Sequence, residues 1–302
     1  MANIEKLGFI GAGLMGHGMA KNLLKAGYPL MLMGHKNRAP IDDLLARGAT
    51  EAQTPGEIAA AVDMLILCVT SSTVVQELVQ GEHGILENGR AGLIVVDCST
   101  GDPSVTLDIG RQLAERGMHL IDAPLARTPR EAEEGRLNIM LGGDPAIRAQ
   151  VRTVVQACCE NIFDIGELGS ALKLKLINNL LTLGHAALAA EAIMAARATG
   201  VDLAKLYEVA SRGGANSTAF STIVSRLLEG DETGMQFTLR NARKDLGCYH
   251  RMLDGTDMLG LLWAPIYDTF NLATLMGHGD KLVSQLAGLL DAQALGSHGP
   301  TP

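Results

Sequence analysis

A doubly wound parallel α/β domain followed by an all-α domain is the architecture that this 302-residue sequence predicts, and three observations predict it. Short apolar runs alternate with helical segments over 1–165, at residues 7–10, 30–33, 64–69, 92–96, 119–121, 137–141 and 162–165. Near-continuous apolar strands separated by helices form parallel sheets that are covered on both faces. Over 166–302 the strand signals stop. A long interdomain helix is expected over 170–198, which holds a helical period without a proline, with further helices over 202–212, 217–228, 239–253, 265–276 and 281–290. The third observation is a glycine-rich turn that joins the first strand to the first helix.

That turn reads Gly11-Ala12-Gly13-Leu14-Met15-Gly16. Gly11 permits a tight strand-to-helix turn, Gly13 lets the backbone approach a pyrophosphate, and Gly16 lets the helix pack closely on the strand. The phosphates then lie at the helix N-terminus. The first domain is therefore expected to be a Rossmann-type dinucleotide-binding domain, with Gly11, Gly13, Leu14, Met15 and Gly16 against the cofactor. The second strand runs into Met33-Gly34-His35-Lys36-Asn37-Arg38, with no acid where an NAD site usually presents one to the ribose hydroxyls. His35, Lys36 and Arg38 suit a 2′-phosphate, which favours NADP over NAD, although the same side chains would serve equally as solvated charges.

Bulk properties narrow the function. A chain that is 47% hydrophobic can bury a substantial core. Its net charge of −8 argues against nonspecific nucleic-acid binding and for a small-molecule substrate. Met1-Ala2-Asn3-Ile4-Glu5-Lys6 lacks the basic start and apolar core of a signal peptide, and no apolar run reaches membrane-spanning length unbroken by a charge or glycine, so a cytoplasmic protein is expected. Cys68, Cys98, Cys158, Cys159 and Cys248 form no CxxC pair and have no histidine at metal-ligand spacing. They read as small core hydrophobes, and neither a disulfide frame nor a metal site is expected. Thirteen methionines against five phenylalanines, four tyrosines and one tryptophan give an aliphatic core. The segment 296–302, rich in glycine and proline, is expected to be a disordered tail.

Chemistry enters at the start of the long helix. Lys173-Leu174-Lys175-Leu176-Ile177-Asn178-Asn179 places Lys175 and Asn179 at i and i+4 on one face, with Asn178 beside Lys175. Polar residues at a helix start are often only solvated. Downstream of a dinucleotide-binding domain, however, a lysine and an amide that can meet one ligand supply what hydride transfer requires, a proton donor near a carbonyl oxygen. His17 and His185, each solitary, read as packed or surface residues, and Cys98 has no activating histidine.

Several ordered segments resemble the β-hydroxyacid dehydrogenase family, which includes 3-hydroxyisobutyrate dehydrogenases, tartronate semialdehyde reductases and sulfolactaldehyde reductases. The cofactor motif stands as Gly8-Phe9-Ile10-Gly11-Ala12-Gly13-Leu14-Met15-Gly16 followed by Met19-Ala20-Lys21-Asn22-Leu23. Asp97-Cys98-Ser99-Thr100 resembles the family's Asp-x-Ser-Thr segment, Asp122-Ala123-Pro124-Leu125-Ala126-Arg127-Thr128 its substrate loop, and Lys175-x-x-Asn178-Asn179 its catalytic motif; Lys244-Asp245-Leu246 matches a late Lys-Asp-Leu. The resemblance implies that Lys175 is the acid/base, that Asn179 orients the substrate, and that Ser99, Ala126, Arg127, Thr128 and Asn178 bind it. It assigns Val69, Thr70, Thr100 and Lys244 to the cofactor, and it implies a homodimer or homotetramer joined through the helical domain. A lysine near its ordinary pKa of ~10.4 donates a proton at neutral pH, whereas a base role requires burial or a nearby positive charge.

The chain departs from the family at Ala126-Arg127-Thr128, where many members have Ser-Gly-Gly. A guanidinium offers a fork of donors for carboxylate, sulfonate or phosphate oxygens, and the Arg-Thr pair resembles the sulfolactaldehyde reductase branch. Arg127 would otherwise be one more surface charge among Arg130, Glu131, Glu133 and Glu134. The expected function is the interconversion of a small 3-hydroxy acid, or its sulfonate analogue, with its semialdehyde. An imine reductase and a dinucleotide-binding regulator without catalysis are the alternatives.

Overall fold

In the first half of the chain, leucine- and valine-rich runs become strands, and the segments between them become helices, five of which begin at a Ser, Thr or Asp, four of those followed by proline. The protein is described here from a computed structural model that covers residues 4–296. The tail expected over 296–302 lies outside the described residues except for Gly296. Strands β1 (Leu7–Ile10), β2 (Leu30–Met33), β3 (Thr50–Ala52), β4 (Met64–Leu67), β5 (Ile94–Asp97), β6 (His119–Asp122), β7 (Leu125–Ala126), β8 (Leu137–Gly142) and β9 (Cys159–Gly166) form one sheet. Helices α1 (Gly16–Lys25), α2 (Ala39–Ala46), α3 (Pro55–Ala61), α4 (Ser72–Gln80), α5 (Ile85–Asn88), α6 (Pro103–Glu115), α7 (Pro129–Glu134) and α8 (Pro145–Val155) connect them. Thr54, Ser71, Asp102 and Asp144 cap α3, α4, α6 and α8 by accepting first-turn N–H groups.

The sheet order is β3-β2-β1-β4-β5-β6-β8, with β7 and β9 also paired to β8. The strands from β3 through β6 are parallel in register, Leu7 standing opposite Leu30 and Met64. Both faces are buried, as the apolar strands require. Leu7, Phe9, Leu32, Ile66 and Val96 belong to one core, and Ile10, Leu65, Leu67 and Val95 to another. Two features depart from the expected parallel sheet: β8 runs antiparallel to β6 and β7, and the short strands β3 and β7 carry no apolar run to announce them.

The rest of the chain is helical apart from one isolated bridge between Thr238 and Leu282, among the described residues. It comprises α9 (Ser170–Thr199), α10 (Leu203–Ala210), α11 (Thr218–Leu228), α12 (Leu239–Leu253), α13 (Trp263–Ala273) and α14 (Leu286–Gly296). Leu183, Ala186, Ala190 and Ile193 of α9 share a core with Leu239, Ala242 and Leu246 of α12 and with Phe270 of α13. By length and composition α9 is the one helix among the described residues apolar enough to cross a membrane, yet these side chains along it are buried in the protein's own core. The chain divides into two compact units inside α9, after Lys175.

The reason that the first turns of α9 belong with the sheet is Asp122, the last residue of β6, which is 2% exposed. Its Oδ1 accepts the Gly169 N–H at 2.9 Å and its Oδ2 accepts the Leu172 N–H at 2.8 Å. One carboxylate thus satisfies two of the backbone donors that a helix start leaves unpaired. The fit is close: a Cβ on Gly142 of β8 would stand 2.3 Å from Asp122 Oδ1. Burial pushes the Asp122 carboxyl up, against the opposing pull of the N–H groups. Asp122→Ala is expected to lower the unfolding free energy by about 1–3 kcal/mol for each donor left bare, as read by urea denaturation. An unchanged midpoint would show that the helix start is held by something else.

Candidate active site

The glycine turn has the form that a pyrophosphate requires. Gly11 has a φ of +105°, and a Cβ there would lie 2.2 Å from the Cys68 carbonyl oxygen. A Cβ on Gly16 would lie 2.0 Å from the Gly11 carbonyl oxygen, so α1 packs against its own turn. Gly13, by contrast, opens onto space with nothing within 4 Å. Unlike α3, α4, α6 and α8, α1 has no side-chain cap, and its first turn carries no acid. Its N-terminal donors therefore suit a diphosphate, which the turn of Gly11, Gly13, Leu14, Met15 and Gly16 could hold. Close packing continues along α1: a Cβ on Gly18 would meet the Ala132 backbone of α7 at 2.4 Å, and His17 bridges Glu133 at 2.6 Å and Asp43 at 3.0 Å. His17 is thus a packing residue.

The loop after β2 carries no acid of its own, as the sequence has it, but the fold brings one in from the neighbouring strand. Glu51, from β3, brings its carboxylate beside Gly34, within 2.2 Å of where a Gly34 Cβ would be. Arg38 holds that carboxylate with two nitrogens, at 2.5 and 3.0 Å, and reaches Asp42 at 3.1 Å. The Arg38 guanidinium lowers the Glu51 carboxyl, and the Glu51 carboxylate chiefly raises the Arg38 pKa. His35 and Lys36 are exposed.

The loops after β4 and β5 are tied to one another. Ser99 is buried, and its Oγ accepts the Val69 N–H at 3.0 Å while its own N–H donates to Asp97 at 2.9 Å. Ser99 therefore fixes Val69 and leaves its hydroxyl proton available to donate. Thr70 is exposed and Thr100 half-buried. Of the four cysteines of this unit, Cys98, Cys158 and Cys159 are buried and Cys68 is half-buried; Cys98 and Cys158 are raised well above the usual thiol range, and burial pushes Cys68 up to about 12.

The altered loop is held by its own side chains. Ala126 lies in β7 opposite Asn138. Arg127 has a φ of +85°, a left-handed conformation that costs a non-glycine residue about 1–3 kcal/mol, and its Nη1 donates to the Arg136 carbonyl at 2.5 Å and pairs with Glu160. Thr128 caps α7 in a capping box with Glu131. The loop residues are thus brought together, with Arg127 engaged on Glu160.

On α9, Lys175 is half-buried, Asn178 exposed and Asn179 buried. Asn179 Nδ2 donates to Asp245 Oδ2 at 2.6 Å, which fixes which way the amide faces, because a carboxylate can only accept. Asp245 is 2% exposed, and its Oδ1 lies 3.0 Å from Lys244 Nζ. Lys244, assigned to the cofactor from the sequence, is therefore paired with the carboxylate that holds Asn179. Sequence reasoning missed Asp122, Asp245 and Glu51 as site residues. Asp122 and Asp245 lie inside the quoted motifs, whereas Glu51 has no motif around it.

Residues 6–166 match the family model for the NAD-binding domain of 6-phosphogluconate dehydrogenase, and residues 169–290 match that for the NAD-binding region of NADP-dependent 3-hydroxyisobutyrate dehydrogenase. The chain belongs to the β-hydroxyacid dehydrogenase family. A 2-(hydroxymethyl)glutarate dehydrogenase of Eubacterium barkeri is 31% identical over 245 residues, 80% of each chain. A 3-hydroxyisobutyrate dehydrogenase structure from Salmonella typhimurium aligns with a TM-score of 0.83 at 26% identity, covering 94% of this chain and 99% of that one. Psf3, solved with NADP+ and 2-OPP, aligns with the same score, identity and coverage. Imine reductases, at 18–21% identity and TM-scores of 0.58–0.61, share the fold alone. Family membership makes this chain an oxidoreductase of the NAD(P)-dependent class, acting on a small molecule.

The Asn179–Asp245 contact has a pH signature. In Asn179→Asp two buried carboxylates would face each other, so one keeps its proton and its folded pKa rises above the unfolded value of ~3.9. A group raised on folding loses stability as pH rises. The melting-temperature penalty of Asn179→Asp is expected to be small at pH 4 and larger at pH 8, and equal penalties would show that the two side chains do not meet.

Proposed function

We propose that this family member interconverts a small 3-hydroxy acid, or its sulfonate analogue, with the corresponding semialdehyde, using Lys175 as the general acid/base. The observation that carries the reading is Lys175 and Asn179, one turn apart on α9. The start of this helix is held by Asp122, and Asn179 is oriented by the buried Asp245. The nicotinamide ring, when bound, supplies or accepts the hydride. In the reducing direction the Lys175 ammonium gives a proton to the carbonyl oxygen as negative charge builds there; in the oxidising direction a neutral Lys175 takes the hydroxyl proton. Asn179, with its amide fixed, orients the substrate without reorganising at the moment of reaction. Asn178, the hydroxyl proton of Ser99 and the loop from Ala126 to Thr128 are assigned to the acid end of the substrate, while Val69, Thr70, Thr100 and Lys244 are assigned to the cofactor side.

The left-handed backbone of Arg127 supports the assignment of this loop, since such strain persists where the surrounding structure or the function demands it. Assembly as a homodimer or homotetramer is proposed from the apolar side chains left exposed on the helical unit, among them Leu188, Val209, Leu272 and Leu275.

Lys175→Ala is expected to lower kcat by about 10²–10⁴ while the dissociation constant for the dinucleotide stays within a few-fold of wild type. Retained turnover in steady-state assays would remove Lys175 from the acid/base role. Arg127→Gly separates strain from function. It is expected to leave thermal stability unchanged or improved, because glycine adopts positive φ freely, and to raise KM for the anionic semialdehyde. An unaltered KM across methylmalonate, tartronate and succinate semialdehydes and sulfolactaldehyde would take Arg127 out of substrate binding.

A further inference from the structure

We propose that Glu51, supplied by β3, takes the place of the acid missing from the end of β2 and sets the cofactor preference of this protein to NAD(H) over NADP(H). The inference rests on the assignment of the Gly11–Gly16 turn to a dinucleotide. In doubly wound folds the adenosine ribose lies at the end of the second strand, where an acidic side chain accepts from its hydroxyls. Here that position is Gly34, which has no side chain to offer. The space is filled from the neighbouring strand: Glu51 Oε1 stands 2.2 Å and Arg38 Nη1 2.3 Å from where a Gly34 Cβ would be. Glu51 is paired to Leu32 in the sheet register, one residue before the end of β2, so its side chain reaches just past that end.

The charges decide between the two cofactors. Arg38 is the cation that a 2′-phosphate would seek, but its guanidinium already grips Glu51 with both terminal nitrogens and meets Asp42 as well. One guanidinium between two carboxylates leaves a local excess of negative charge. An incoming 2′-phosphate would meet the Glu51 carboxylate and would have to strip Arg38 from it. A ribose 2′-hydroxyl would instead find an acceptor. Lys36 and His35 are exposed, and no hydrogen bond or ion pair among the described residues holds either over the site, so they do not offset the pair.

The test is equilibrium binding, which requires no turnover. With the full-length protein, titration calorimetry or quenching of intrinsic fluorescence is expected to give a dissociation constant for NAD+ at least tenfold below that for NADP+, and 5′-ADP-ribose is expected to bind more tightly than its 2′-phosphorylated form. Glu51→Gln, isosteric and uncharged, is expected to tighten NADP+ at least tenfold and to weaken NAD+ several-fold; in Glu51→Gln/Arg38→Ala the gain for NADP+ should disappear, because the freed guanidinium is what provides it. A wild-type preference for NADP+ would overturn the proposal, as would weaker NADP+ binding in Glu51→Gln, which would make Glu51 a support that aims Arg38 at the phosphate. Binding of neither dinucleotide would overturn the underlying assignment of the glycine turn, a result separate from a change in their ratio.

Discussion

The candidate chemistry depends on where α9 begins, and that is decided by a single buried carboxylate. Asp122 closes β6 and, with one oxygen each, receives the N–H groups of Gly169 and Leu172. A helix start has no partners of its own for its first donors, so whatever satisfies them fixes the position and rotation of everything on the first turns. Lys175 is the last residue of the first compact unit. The anchoring of the helix start to the sheet is therefore also the positioning of the lysine.

The same device recurs at lower stakes throughout the first unit. Ser99 receives the Val69 N–H and Ser72 receives that of Asp102, so hydroxyls hold the loops after β4 and β5 in one arrangement. Asp245 does for the Asn179 side chain what Asp122 does for the α9 backbone. In each case a short polar side chain replaces solvent as the partner of a group that must not move. The glycine turn works by the opposite means: α1 is left without a side-chain cap, and the donors at its start are kept for a ligand.

Residues carried by a local rule were legible in advance. The strands that read as apolar runs, the uninterrupted helix at α9, the glycine turn and the Lys175/Asn179 spacing each follow from a period or a steric requirement confined to neighbours in sequence. The limits of that reading appear at β3. Thr50-Glu51-Ala52 has no apolar run because it is a short strand at the end of the sheet, so neither the strand nor the carboxylate on it could be placed beside Gly34. Arg127 shows the same limit. Its partners, Glu160 and the Arg136 carbonyl, come from a strand and a loop that only the folded chain brings near.

The sequence by itself determined the class of fold, the family, the cofactor class and the helix that bears the proposed acid/base, because each is written in residues close together along the chain. Tertiary structure alone decided which carboxylate faces the end of β2, what holds the start of α9, and why the Asn179 amide faces as it does. These are pairings between residues 17 to 66 positions apart, Gly34 with Glu51 and Asn179 with Asp245 at the extremes. Hydrogen bonds and charges act over a few ångströms of space, whatever the separation along the chain. The glycine turn therefore announces a dinucleotide, while the choice between its two forms rests on a side chain from another strand.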